Sequence, residues 1–356
     1  MSDVKENIIP DEIISELIDL KNLTKFNTLN WNDFLTILKE HNTKKSGLEH
    51  VIEENFYKQH YDEWIKNFAL NLNNIWNEFS ANELAQNQHD QSAIVIGAGP
   101  SLQENLHLEK LSKSNYSGSI ICTDRSLIPA LKAGITPDKF PKFFVVTIDP
   151  SIILKKFYDD DIVNKYGNKI NGLFSTVIHP EVVGRARESG INIHWMHALF
   201  DYHEGKKSFN QTSALMVRAK KHVNGLPAIQ TGGNVGTSAW FVAWKILNCR
   251  NVCLLGINHS WDVNDSWEKI AAHSNTPINI DKESLLFQRA FPKIFHPDFK
   301  TYCISDPIFQ YYSDALKEFI SRSPEWLTTI NATEGGCIFG DKITCMSLME
   351  FLNKYE

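Results

Sequence analysis

"SAIVIGAGPSLQENLHLEKL", residues 92–111, decides the fold. An apolar run, Ala93-Ile94-Val95-Ile96, leads directly into Gly97-Ala98-Gly99-Pro100-Ser101. A short apolar run ending in glycines and passing into a helical pattern is the opening of a nucleotide-binding α/β unit. The third glycine of the dinucleotide fingerprint is missing and Pro100 follows the second. No Gly-Lys-Ser/Thr follows, so the loop is not a P-loop. Glycine lets a ligand approach the backbone, and proline costs no hydrogen bond at a first helical position. If a helix starts at Ser101, its free amides favour an anion. A lone GxG is also what any tight strand–helix turn needs, so this loop alone leaves anion binding open.

Outward from that loop, the rhythm after residue 93 is one of short apolar runs alternating with helical segments. The expected strands are 93–97, 119–124, 142–149, 172–178, 191–197 and 251–257, mostly rich in β-branched or aromatic residues. Residues 125–134 and 236–249 read as helices between them. Nearly continuous apolar strands alternating with helices predict a Rossmann-like, mostly parallel sheet with helices on both faces. The last third is less regular. It contains a helical "DALKEFISR", then a short strand, a glycine-bearing loop and a closing helix with Leu348, Phe351 and Leu352 inward.

The first 90 residues differ. "PDEIISELIDLKNL" and "NWNDFLTILKEHN" have helical spacing, and Trp64, Phe68, Leu72, Ile75, Trp76 and Phe79 form one helical stripe for packing. Polar residues 85–92 read as a linker. The expected division is a helical region 1–90, then an α/β catalytic domain 91–356 with an irregular C-terminal part.

In a sheet of this kind ligands bind beyond the carboxyl ends of the strands. Those ends carry the 97–101 loop, Asp124-Arg125, Asp149-Pro150, His179-Pro180 and Asn258-His259. A second glycine cluster, Gly232-Gly233-Asn234 with Gly236, precedes Thr237 and Ser238 at the head of a long apolar helix. It reads as a turn with a cap, or as a backbone nest for an anion. Asp124 could cap the helix after it and Asp149 could make an Asp-Pro turn. Beside bound phosphates, both are equally candidates for Mg²⁺. His259, after a strand end, is a candidate acid, base or phosphate contact, and His296 could be brought in by a loop. His194, His197 and His203 do not match a common zinc spacing, since His194 and His197 would point to opposite faces of a strand.

At 356 residues, 42% hydrophobic and 22% charged, the chain has an ordinary globular composition. A net charge of -6 argues against a nucleic-acid coat. No apolar run reaches the length of a membrane span, and the first residues lack a signal-peptide layout. Six cysteines without a close CxxC pair read as reduced thiols in a cytoplasmic protein.

"IVIGAGPSL", "TDRSLIPALKAGITPDKF", "VVTIDPS", "GGNVGTSAWFVAWKILNCRNVCLLGIN" and "INATEGGCIFG" together resemble, in order and wording, the 6-hydroxymethylpterin diphosphokinase MptE-like family. The resemblance covers roughly residues 93–340. It also extends to motility accessory factors, which attach nonulosonic sugars to flagellin, and to bacterial sialyltransferases that use a CMP-sugar.

The resemblance implies a Mg²⁺-dependent transferase moving diphosphate from ATP to a hydroxymethyl pterin. Sugar transfer from a CMP-sugar is the second reading, and a non-catalytic nucleotide-binding protein the third. By the same resemblance, Gly97, Gly99, Pro100 and Ser101 form the first phosphate loop, with Arg125 on phosphate oxygens. Gly232, Gly233, Asn234, Gly236, Thr237 and Ser238 form the second loop. Asp149 and Asp124 are the polar strand ends, Asp149 the first choice for Mg²⁺ and Asp124 the second; with His259, read from its own place after a strand end, they are the candidate catalytic residues. Thr333 and Glu334 close the site. Asn258 stands where the family usually has Asp, and it cannot act as a base. The implied partners are a nucleotide and a small acceptor; homo-oligomerisation is left open.

Overall fold

The computed structural model describes residues 48–85, 91–200, 208–219, 225–273, 282–283 and 285–355. The two helices expected before residue 43, most of the 85–92 linker, and His203 lie outside the described residues.

One large sheet organises the chain. Its strands are β1 (Phe79–Ser80), β2 (Ser92–Ile96), β3 (Ser119–Thr123), β4 (Phe143–Thr147), β5 (Asn171–Ser175), β6 (Asn192–Leu199), β7 (Ala228–Gln230), β8 (Asn251–Leu255), β12 (Thr328–Asn331) and β13 (Ile343–Cys345). Their order is β1-β6-β5-β4-β3-β2-β8-β12-β13, with β7 added beside β6. Every pairing in it is parallel. Three further strands, β9 (Trp261–Asp262), β10 (Lys293–His296) and β11 (Thr301–Ile304), form a separate antiparallel sheet.

The six expected strands are all present, with ends within about three residues of their expected positions. β2, β3 and β4 are buried along their whole length, which is why they read as unbroken apolar runs. Alternation divides their side chains between two cores. Ile94, Ile96, Cys122 and Val145 face one. Ala93, Val95, Ile121 and Val146 face the other.

Helices cover both faces. On the first lie α1 (Leu48–Asn77), α2 (Asp124–Lys132) and α3 (Pro180–Glu188). The second is covered by α4 (Val235–Phe241), continued by a π-helical stretch Val242–Ile246. α5 (Trp267–His273) follows the first of the three antiparallel strands. α6 (Pro307–Ser321) sends Leu316 and Ile320 into the second core. α7 (Leu348–Tyr355) closes the first face with Leu348, Phe351 and Leu352 buried as expected.

α1 is the described part of the N-terminal region, and it shares the first core with the sheet. Trp64, Phe68, Leu72 and Ile75 are buried there, with Trp76 partly so. Phe79 is not on the stripe: it lies past the helix end in β1, exposed, and stacks on His194. Two buried asparagines one turn apart fix the helix to the strand ends. Asn67 donates to the carbonyls of Pro150 and Val177, both at 3.0 Å. Asn71 donates to those of Thr176 and Ile178, at 3.4 and 2.7 Å.

Among the described residues no helix is long and apolar enough to cross a membrane. The six cysteines are free thiols, all buried except the half-buried Cys345.

A candidate active site at the strand switch point

The strand order reverses between β2 and β8: β3 to β6 continue on one side, β12 and β13 on the other. Neighbouring strands leading away in opposite directions leave a crevice at their carboxyl ends. A cavity of about 890 Å³ lies there. Its floor comes from the ends of β2 (Gly97, Gly99, Pro100), β3 (Asp124, Arg125), β4 (Asp149) and β8 (Asn258, His259). The volume falls within the range of small-molecule sites.

The 97–101 loop is shaped first by its neighbour. A Cβ on Gly99 would stand 2.7 Å from the Gly256 carbonyl oxygen, and closer still to Asn258 Oδ1. One on Gly97 would meet the same carbonyl and Ile257. These glycines let β2 and β8 run close together, whatever ligand also uses the loop. The helical segment after them, Ser101–Glu104, is a single turn, so it supplies little of the dipole expected there. Ser101 is buried and does not line the cavity; its hydroxyl donates to Asn258 Oδ1 at 2.9 Å.

The second glycine loop reaches the cavity with Gly233, Asn234 and Gly236, but not Gly232. Gly232 and Gly233 take φ of 53° and 79°, where a side chain would be strained. Asn234 caps α4, its Oδ1 accepting from the Thr237 amide at 2.9 Å. Thr237 and Ser238 are fully buried behind that cap and do not line the cavity. Thr333 and Glu334 are also not part of its wall. Thr333 is buried, with its hydroxyl on the Leu254 carbonyl. Glu334 pairs with buried His107 at 3.2 Å.

The two carboxylates do come together. Asp124 is buried, and burial pushes its carboxyl up to about 7 against the Arg125 amide at 2.6 Å. The Asp149 charge adds to that rise. Asp149 is exposed to the cavity yet ringed by protein, and burial raises its carboxyl too, while one oxygen accepts from the Ser151 amide at 2.8 Å. Two hard oxygen donors whose charged forms are disfavoured suit a bound cation.

His259 is buried at φ 44°, and among the described residues its Nδ1 has no hydrogen-bond partner. Burial, then Lys317, pushes its pKa down to about 3, so it is neutral near pH 7. His296 does not reach the cavity: it ends β10, fully buried. His296, Asp298 and Cys345 bring ligand-type atoms within 4.8 Å of one another. However, His296 Nδ1 already accepts from the Phe299 amide at 3.3 Å. His194 and His197 are buried within β6, and burial, then Arg218, takes His197 down to about 4.

Sequence reasoning missed the rest of the wall. α1 contributes His60 and Trp64; the C-terminal third contributes Lys269, His273, Phe309 and Tyr312. Trp64 and Phe200 stack at 4.6 Å. Trp261 and Phe309 lie 5.3 Å apart, and His259 stacks on Phe309 at 6.3 Å. For Phe309 and Tyr312 the sequence signal was the clustering of aromatics in "PIFQYY", which reads equally as helix packing.

The fold is that of a Rossmann-like α/β protein with a cavity at its topological switch point. The 6-hydroxymethylpterin diphosphokinase MptE-like family matches residues 66–264, more than half of the chain, and the chain belongs to that family. The match begins inside α1, whose docking residues Asn67 and Asn71 it includes. Among solved structures, the MAf glycosyltransferase from Magnetospirillum magneticum AMB-1 is similar, with 16% identity and a TM-score of 0.45. The likeness covers 76% of this chain but 35% of that one, so this chain spans little more than a third of its length. No curated protein matches.

Proposed function

We propose that the protein transfers diphosphate from ATP to a small hydroxymethyl acceptor of the reduced-pterin type. The observation that carries this reading is one cavity lined both by glycine loops with two carboxylates and by a set of aromatic side chains. The family description points to the same chemistry.

Diphosphoryl transfer asks little covalent work of a protein; alignment and charge neutralisation supply most of the catalysis. The Gly97 and Gly99 amides donate to the Leu255 and Gly256 carbonyls, both at 2.8 Å, so the Ala98 amide, the Val235 and Gly236 amides at the head of α4 and the Arg125 guanidinium would hold the phosphate oxygens. Asp149 and Asp124 fit Mg²⁺, which would neutralise phosphate charge when bound. Asn258 and neutral His259 would offer hydrogen-bonding groups without adding charge. Trp261, Phe309 and Tyr312 would stack on a planar heterocycle.

The test is AMP release from ATP with Mg²⁺ and 6-hydroxymethyl-7,8-dihydropterin. Robust release is expected, falling by about 10²-fold or more in Asp149→Ala. No AMP, together with thermal stabilisation by CMP or a CMP-sugar but not by ATP, overturns diphosphate transfer in favour of sugar transfer.

A further inference from the structure

Beside Trp261 and Phe309 of the cavity wall stand two groups that phosphate binding does not use. Asp306, fully buried, precedes α6. Its Oδ1 accepts the Ile308 and Phe309 amides at 2.8 and 2.9 Å, capping the helix. Its Oδ2 accepts Trp261 Nε1 at 2.7 Å and His273 Nδ1 at 2.6 Å. Burial alone would raise this carboxyl, but the His273, Phe309 and Trp261 donors hold it below the usual range. Asp306 is therefore an ionised acceptor with four donors and no exposed surface for a ligand.

That pairing fixes the state of His273. A carboxylate cannot donate, so Nδ1 of the histidine carries the proton. In the neutral ring Nε2 is then the acceptor. The imidazole lines the cavity with its side chain 31% exposed, held by the rings of Trp261 at 5.3 Å and Phe309 at 4.5 Å. Among the described residues, charged groups nearby include Lys269, one turn earlier on α5, and Asp265, its ion-pair partner at 2.6 Å. Lys269 lies over the same Trp261, 5.1 Å from the ring centre. A buried carboxylate orienting an imidazole that lines a cavity is the arrangement of a general base with its positioning partner.

From this geometry we infer that His273 is the general base for the acceptor hydroxyl, with Asp306 as its positioning residue. The inference rests on the transfer reading above. As the acceptor oxygen bonds to the β-phosphorus of ATP, its proton passes to His273 Nε2. The bond from that phosphorus to the bridging oxygen breaks, and its electron pair leaves on AMP. The imidazolium is stabilised by Asp306 and later returns the proton to water.

Two measurements test it on the full chain. In the first, His273→Gln is expected to lower kcat for AMP release by about 10²- to 10⁴-fold, with ATP binding unchanged within about twofold. A variant that turns over within threefold of wild type overturns the assignment. The second uses ¹⁵N-histidine NMR, with the His273 signals assigned by their loss in His273→Gln. A neutral Nδ1–H tautomer at pH 8 supports the base; an Nε2–H tautomer, or a ring still doubly protonated there, overturns it. The tautomer does not depend on the donor. A protein that releases no AMP therefore defeats diphosphate transfer, while the NMR result still decides for or against His273.

Discussion

Asp124 shows how a buried carboxylate and a stable fold pull in opposite directions. An unfolded Asp titrates near about 3.9, whereas burial moves this one to about 7. Between those values the folded chain binds more protons than the unfolded one, so the residue's contribution to stability falls as pH rises, levelling off above the folded value. Asp124→Asn removes the titration and keeps the shape. It is expected to be more stable than wild type at pH 8, by on the order of a few kcal/mol, with the gap closing toward pH 4. Urea denaturation at several pH values measures this; a gap that does not change with pH would show that Asp124 is not the titrating group. Activity should move the other way, because an amide is a poorer ligand for a cation than a carboxylate.

At the scale of elements, the parallel sheet was legible because complete burial removes the polar alternation from β2, β3 and β4, leaving runs such as Phe143–Thr147 that read directly as strands. The strand-end loops were legible for the same reason, since the fold class places ligands there. Thr237, Ser238, Thr333 and Glu334 misled because capping and buried hydrogen bonds favour the same small polar residues as phosphate contacts. Phe309 and Tyr312 were not legible: they share one helix with core residues Leu316 and Ile320, and spacing alone does not say which face meets a cavity. Nor did the sequence reveal that α1 docks on the strand ends through asparagines. That docking can be tested directly. Asn67→Ala removes two buried donors and leaves the Pro150 and Val177 carbonyls without them. It is expected to cost about 1–3 kcal/mol. Because Trp64 sits one turn earlier on the cavity wall, ATP or acceptor binding should weaken as well. Denaturation midpoints and ligand titrations on the same variant would separate the two effects; full stability would show that water replaces the amide.

For the whole molecule, the decisive fact is that one core spans the boundary expected near residue 90. Tyr61, Trp64, Ile65, Phe68, Leu72 and Ile75 of α1 are buried against residues of α2, α3 and the sheet. Each such side chain gains about 1.5–3 kcal/mol from burial. Removing α1 therefore forfeits on the order of 10 kcal/mol, comparable to the entire 5–15 kcal/mol that holds a typical domain folded. It also uncovers a contiguous apolar face of the kind that drives aggregation. A fragment of residues 91–356 is accordingly expected to aggregate, or to unfold without a cooperative transition. A fragment that begins at residue 48 should keep the full chain's two-core packing. Size-exclusion chromatography and thermal melts of the two fragments make the comparison. A monomeric 91–356 fragment melting cooperatively near the full chain's temperature would mean that α1 is an accessory to the sheet. Failure of the short fragment alone would instead make α1 an integral part of the sheet domain, so that His60 and Trp64 belong to the same folded unit as Asp149, whose cavity they line.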